Sequence, residues 1–147
     1  MSLLSPAEQD TLRESFDEMT ASVRLLFFTQ TLDCDTCVQA RRILDELPPL
    51  SDRITIEEVN FVLEKERAAA FGIDRVPAIA VLAGDAAGEL KDSRIRFLGS
   101  PGGYEFVSLV QAILLVGGRG SDLTDANRER IAAVRTPVTM QVFTTPT

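Results

Sequence analysis

Cys34 and Cys37 are the two cysteines of the chain, three positions apart in the stretch LLFFTQTLDCDTCVQARRIL, where an apolar run gives way to a helix-like pattern. Three chemistries suit such a pair: disulfide exchange, capture of a metal ion, or a structural staple. Exchange needs a thiolate that attacks, a second thiol that resolves the mixed disulfide, and a geometry in which the two sulfurs can close on each other. A CxxC opening a helix supplies all three. Residues three apart share a helical face, and the first lies where the free N–H groups and the positive end of the helix dipole favour a negative sulfur. A thiol so placed commonly falls from about 8.5 toward 7 or below. This makes Cys34 the expected nucleophile and Cys37 the expected resolver. Asp33 and Asp35 oppose the trend by placing negative charge beside the sulfur. The expected potential is therefore nearer the reducing value of roughly −270 mV than the oxidising end near −120 mV. A structural disulfide and a metal shared between two chains are the competing readings.

Composition narrows the field. The chain has no histidine, which removes Ser-His and Cys-His nucleophile pairs and mixed Cys/His zinc sites. Two cysteines do not fill a four-thiolate site, so neither a metal nor another cofactor is expected within one chain. A net charge of −7 over 147 residues opposes nucleic-acid binding. The apolar run FVSLVQAILLVGG is too short for the roughly 20 residues of a membrane span. The start MSLLSPAEQD has no secretion pattern, and the expected compartment is the cytoplasm.

The elements that must hold the cysteines can be read from pattern. Ser5, Pro6 and Glu8 form a helix-start signature, predicting a helix from about 5 to 20. Residues 23–30 read as a central parallel strand covered on both faces. A helix from Cys34 to about Leu47 buries Cys37, Ala40, Leu44 and Leu47, and Pro48 and Pro49 stop it. Residues 53–61 form a second strand, and EKERAAAFGI forms a helix closed by Gly72 in a left-handed cap. Residues 78–84 and 93–99 form a hairpin. A helix after Pro101 packs Phe106, Val107, Val110, Ile113 and Leu114 and ends at Gly117 and Gly118; another, capped by Ser121 or Thr124, precedes a strand that starts at Pro137.

Pro77 heads a strand that would otherwise use its N–H for pairing. A cis Val76–Pro77 bond there leaves the Val76 backbone free to pair with an extended substrate segment, so both residues are candidate substrate contacts. Glu57 and Glu58 on the second strand are candidates to shuttle the proton of Cys37.

The order β-α-β-α-β-β-α, with an added leading helix and a trailing helix and strand, is that of an α/β thioredoxin fold; the order alone also suits other small α/β folds, and the places of the cysteines and Pro77 favour this one. The strand with its CxxC helix, GIDRVPAI, RFLGSPGGYEF and VTMQVFTTPT together resemble the first half of the protein disulfide oxidoreductases, glutaredoxin-like proteins with two thioredoxin-fold units. This resemblance divides the chain into a leading helix (1–22), a thioredoxin-fold domain (23–118), and a linker helix and strand (119–147) similar to the start of a second unit. It implies disulfide exchange at Cys34 and Cys37 with protein disulfides or dithiols and a reductase to recharge the pair, with Val76–Pro77 walling the substrate side. It departs from the pattern in its CDTC sequence and in Phe28, which stands where many thioredoxins carry a buried aspartate. The acidic surroundings favour protein substrates over anionic glutathione. A last strand without a neighbour would seek an edge, which points to a homodimer. The reading from another class is a non-catalytic half-domain that packs against a second unit.

Overall fold

The structure, a computed structural model, describes residues 1–145. Four strands, β1 (Ser22–Thr29), β2 (Ile54–Asn60), β3 (Ala78–Gly84) and β4 (Leu90–Leu98), form one sheet in the order β2-β1-β3-β4. β1 runs parallel to β2 and antiparallel to β3, and β3 and β4 form the hairpin, with an irregularity between Ala80 and Leu82. As expected of a strand covered on both faces, β1 is buried from Leu25 to Thr29. Successive side chains of a strand point to opposite faces. Val23, Leu25 and Phe27 enter one cluster with Ala40 and Leu44, and Leu26 and Phe28 enter another with Ala68.

The first cluster is covered by α1 (Pro6–Asp17), α2 (Asp35–Leu44) and α4 (Tyr104–Val116), the second by α3 (Lys65–Ala70). α1 begins with the expected capping box: the Glu8 N–H donates to the Ser5 hydroxyl, and the Ser5 N–H donates to the Glu8 carboxylate at 2.7 Å. It ends sooner than expected, yet Met19 beyond it is still buried. On α2 the stripe Cys37, Ala40, Leu44 is buried as the spacing predicts, with Leu47 following. α2 ends at Leu44, capped by Asp45, short of the expected Leu47, and Pro48 and Pro49 open a separate short 3-10 turn to Leu50. α3 ends in a Schellman arrangement: Gly72 has φ +68°, its N–H reaches the Ala69 carbonyl at 3.0 Å, and the Ile73 N–H reaches the Ala68 carbonyl at 2.9 Å.

Three expectations are corrected. β4 starts at Leu90, earlier than residue 93, because its pairing with β3 extends to Gly84↔Leu90 and only a short turn is left. Val107 is exposed; the buried face of α4 runs through Leu109, Val110, Ala112, Ile113 and Leu114. The strand expected from Pro137 is absent over residues 137–145, and residues 146 and 147 lie outside the described ones. A strand exists only where a neighbour supplies hydrogen-bond partners, and no strand of the sheet pairs with this segment. α5 (Asp125–Ala132), capped by Thr124, buries none of its residues.

Candidate active site

The site is built at one end of the sheet. β1 finishes at Thr29, paired with Asn60 at the finish of β2, and Phe28 pairs with Ala78 at the start of β3. Extending that register sets Thr29 opposite Pro77, whose carbonyl accepts the Gly99 N–H at 2.8 Å. The loop to α2 therefore leaves from the same sheet end as the residue pair Val76–Pro77. Two local features shape that loop: the Gln30 side-chain amide donates to the Leu32 carbonyl at 2.8 Å, and Asp33 turns the chain with φ +56°. Aspartate tolerates this left-handed region better than most residues.

Cys34 is the N-cap residue of α2 and is partly exposed, whereas Cys37, one turn in, is only 3% exposed. The two are joined by a disulfide with a Cα–Cα separation of 5.2 Å. No side chain caps the first turn of α2, so its N–H groups face the Cys34 end unclaimed by side chains. The Thr36 hydroxyl lies 3.9 Å from the Cys34 sulfur. A closed loop this short adds only about 2 kcal/mol in the chain-entropy model, a small return for a structural staple.

The Val76–Pro77 peptide is cis, and among the described residues neither the N–H nor the C=O of Val76 has a backbone partner. The two candidate carboxylates part company. Glu57 pairs with Arg24 at 3.3 Å and with Arg67 of α3 at 2.7 Å, on the face of the sheet opposite α2. Glu58 opposes Phe27 and ion-pairs with Arg41 of α2, one turn beyond Cys37. That bond, above all, holds the Arg41 guanidinium protonated beyond its ordinary range. Phe28 proves to face α3, against the Phe71 ring. On the α2 face β1 instead offers Leu25, Phe27 and the buried Thr29. Thr29 and Gln30 went unmarked in the sequence, and Asp33 was marked there only for its charge, because strand register and loop conformation alone give each its place. Among the described residues no three His, Cys, Asp or Glu side chains are grouped so as to hold a metal ion, and no helix is long and apolar enough to cross a membrane.

No family model matches the chain. Among curated proteins, it is 40% identical over 77 residues to an NADH dehydrogenase of Ferdinandcohnia aciditolerans, covering 52% of this chain and 12% of that one. It is 28% identical over 89 residues to a probable thioredoxin of Methanothermobacter marburgensis, covering 60% of this chain and 92% of that one. Among solved structures, the NTD_N/C domain of alkylhydroperoxide reductase AhpF from Enterococcus faecalis superposes with a TM-score of 0.78 at 29% identity, covering 90% of this chain and 61% of that one. A protein disulfide oxidoreductase from Aeropyrum pernix gives 0.73 at 23%, covering 88% and 54%, a likeness of fold. The chain thus spans about an eighth of the dehydrogenase and about three fifths of the AhpF domain chain. With its parallel β1–β2 pair, its β3–β4 hairpin and a CxxC disulfide at the amino end of α2, the chain belongs to the thioredoxin superfamily.

Proposed function

We propose that the protein is a thiol-disulfide oxidoreductase that exchanges disulfides with protein substrates. The observation that carries this reading is the unequal exposure of the linked sulfurs: Cys34 is partly open at the helix end and Cys37 is buried a turn deeper. In the reducing direction the Cys34 thiolate attacks one sulfur of a substrate disulfide, forms a mixed disulfide and expels the other substrate sulfur as a thiolate. Cys37 then loses its proton and attacks the Cys34 sulfur. The second substrate thiolate leaves, and the Cys34–Cys37 disulfide remains. Two electrons have passed to the substrate, and an external dithiol reductase must return them.

Val76 and Pro77 supply the substrate side, since the unpaired Val76 backbone groups suit an extended segment that brings its sulfur toward Cys34. Glu58 shares the α2 face and is the better placed of the two glutamates to take the Cys37 proton; the sheet separates Glu57 from that face. The exposed Asp33 and Asp35 favour protein substrates over anionic glutathione and a potential on the reducing side. Such a cycle belongs in the cytoplasm, where disulfides are transient and catalytic. The test is reduction of insulin with dithiothreitol as electron source: the unaltered chain should turn over and Cys34→Ser should not. Equal activity in the two proteins refutes the reading.

A second reading, a partner-binding unit, is favoured by the wholly exposed α5 and by Val138, Met140, Val142 and Phe143, each at least 70% exposed. Pairing of this segment with a sheet edge of a second copy would give a homodimer. A clean monomer mass by light scattering argues against that dimer.

A further inference from the structure

Arg96 lies on β4 opposite Ala80, on the α3 face of the sheet and away from the cysteines. Its Nε donates to the carbonyl of Phe71 at 3.0 Å, and its two terminal nitrogens grip both carboxylate oxygens of Asp92 at 2.8 and 2.6 Å. Its guanidinium carbon also sits 5.6 Å from the centre of the Phe71 ring, which in turn packs on Phe28 at 6.0 Å. Phe71 is the C-cap of α3, and its carbonyl is one that a helix end leaves without an internal partner. The segment that starts there is short: Gly72 turns it, Ile73 anchors it in the core at 5% exposure, and Val76 packs on the same cluster before β3 begins. Asp92 fixes the fork of Arg96, so the carbonyl is held by a side chain that is itself clamped at two points.

We infer that Arg96 is a positioning residue for disulfide exchange: by tying the end of α3 to β4 it fixes the loop Gly72–Pro77 and hence the Val76 backbone edge that receives the substrate. This rests on the function proposed above. Positioning through the backbone edge acts on extended protein segments and not on a small disulfide that meets Cys34 alone, and that difference separates it from a general structural role.

The test is steady-state kinetics of the full chain with insulin and with a small aromatic disulfide, for the unaltered protein, Arg96→Lys and the double variant Arg96→Met with Asp92→Asn. The double variant keeps an aliphatic cover over Phe71 and leaves no carboxylate unpaired. Its KM for insulin should rise about tenfold, equivalent to about 1.4 kcal/mol. Its kcat, its rate with the small disulfide and its redox potential should stay within about twofold or unmoved. Arg96→Lys, which can serve the carbonyl or the carboxylate but not both, should fall between. An unchanged KM for insulin overturns the inference, as does a parallel loss with both substrates in the folded Arg96→Lys protein. If the unaltered protein reduces neither disulfide, the proposed function has failed; if it reduces both and the variants match it, only the role of Arg96 has.

Discussion

Alkylating the two sulfurs one at a time tests the order of attack directly. In reduced Cys37→Ala the remaining thiol is partly exposed Cys34; in reduced Cys34→Ser it is Cys37, 3% exposed beneath the first turn of α2. For a reagent to reach Cys37 that turn must lift. Lifting it breaks the bond from the Cys37 N–H to the Cys34 carbonyl at 3.1 Å and about one of the i→i−4 bonds that an α-helix makes from its first turn onward. Two backbone hydrogen bonds at about 1 kcal/mol each, plus about 1 kcal/mol for returning a buried sulfur to water, give an opening cost of about 3 kcal/mol. That is a rate ratio on the order of 100. The assay is iodoacetamide labelling at pH 7 followed by intact mass against time. Cys34 should label on the order of 100 times faster than Cys37. A ratio below about five, or a reversed one, refutes the assignment of nucleophile and resolver.

Gly72→Ala should cost about 1 to 2 kcal/mol in urea unfolding, because φ is +68° and no atom within 4 Å obstructs a Cβ, leaving backbone conformation as the whole effect; Gly72→Asn should cost less. Leu44→Ala should cost about 2 to 5 kcal/mol, since the side chain is fully buried between α2 and β1. Asp92, whose carboxyl is held below its ordinary value chiefly by Arg96, gives a signed pH dependence. A folded-state value lower than the unfolded one contributes stability that is complete above the unfolded value of about 3.9 and is lost as pH falls through the folded value. Acid unfolding followed from pH 6 down to pH 2 should therefore show a smaller loss of stability for Asp92→Asn than for the unaltered chain; equal slopes contradict it.

Local chemistry was enough for much of this molecule. Ser5, Pro6 and Glu8 start α1, Gly72 closes α3, and the stripe from Cys37 to Leu47 buries as its spacing requires, because caps, glycine conformations and helical periodicity depend on neighbours within a few residues. The CxxC was legible for the same reason: strand, turn and helix follow one another directly along the chain. Strand register and side-chain reach across the sheet decided the rest. A one-residue step along a strand reverses the face, which is why Glu57 and Glu58, adjacent in sequence, end on opposite sides, and why Phe28 looks to α3 and not to the cysteines. Residues 138–143 have a strand's composition, but composition supplies no hydrogen-bond partner, and the segment stays unpaired. Arg96 is unremarkable in RIRFLG, and it reaches Phe71 only because β4 lies beside β3 and the end of α3. The sequence alone settled which residues could carry a redox pair; only the folded sheet, by fixing the face and height of every side chain at its end, settled what surrounds it.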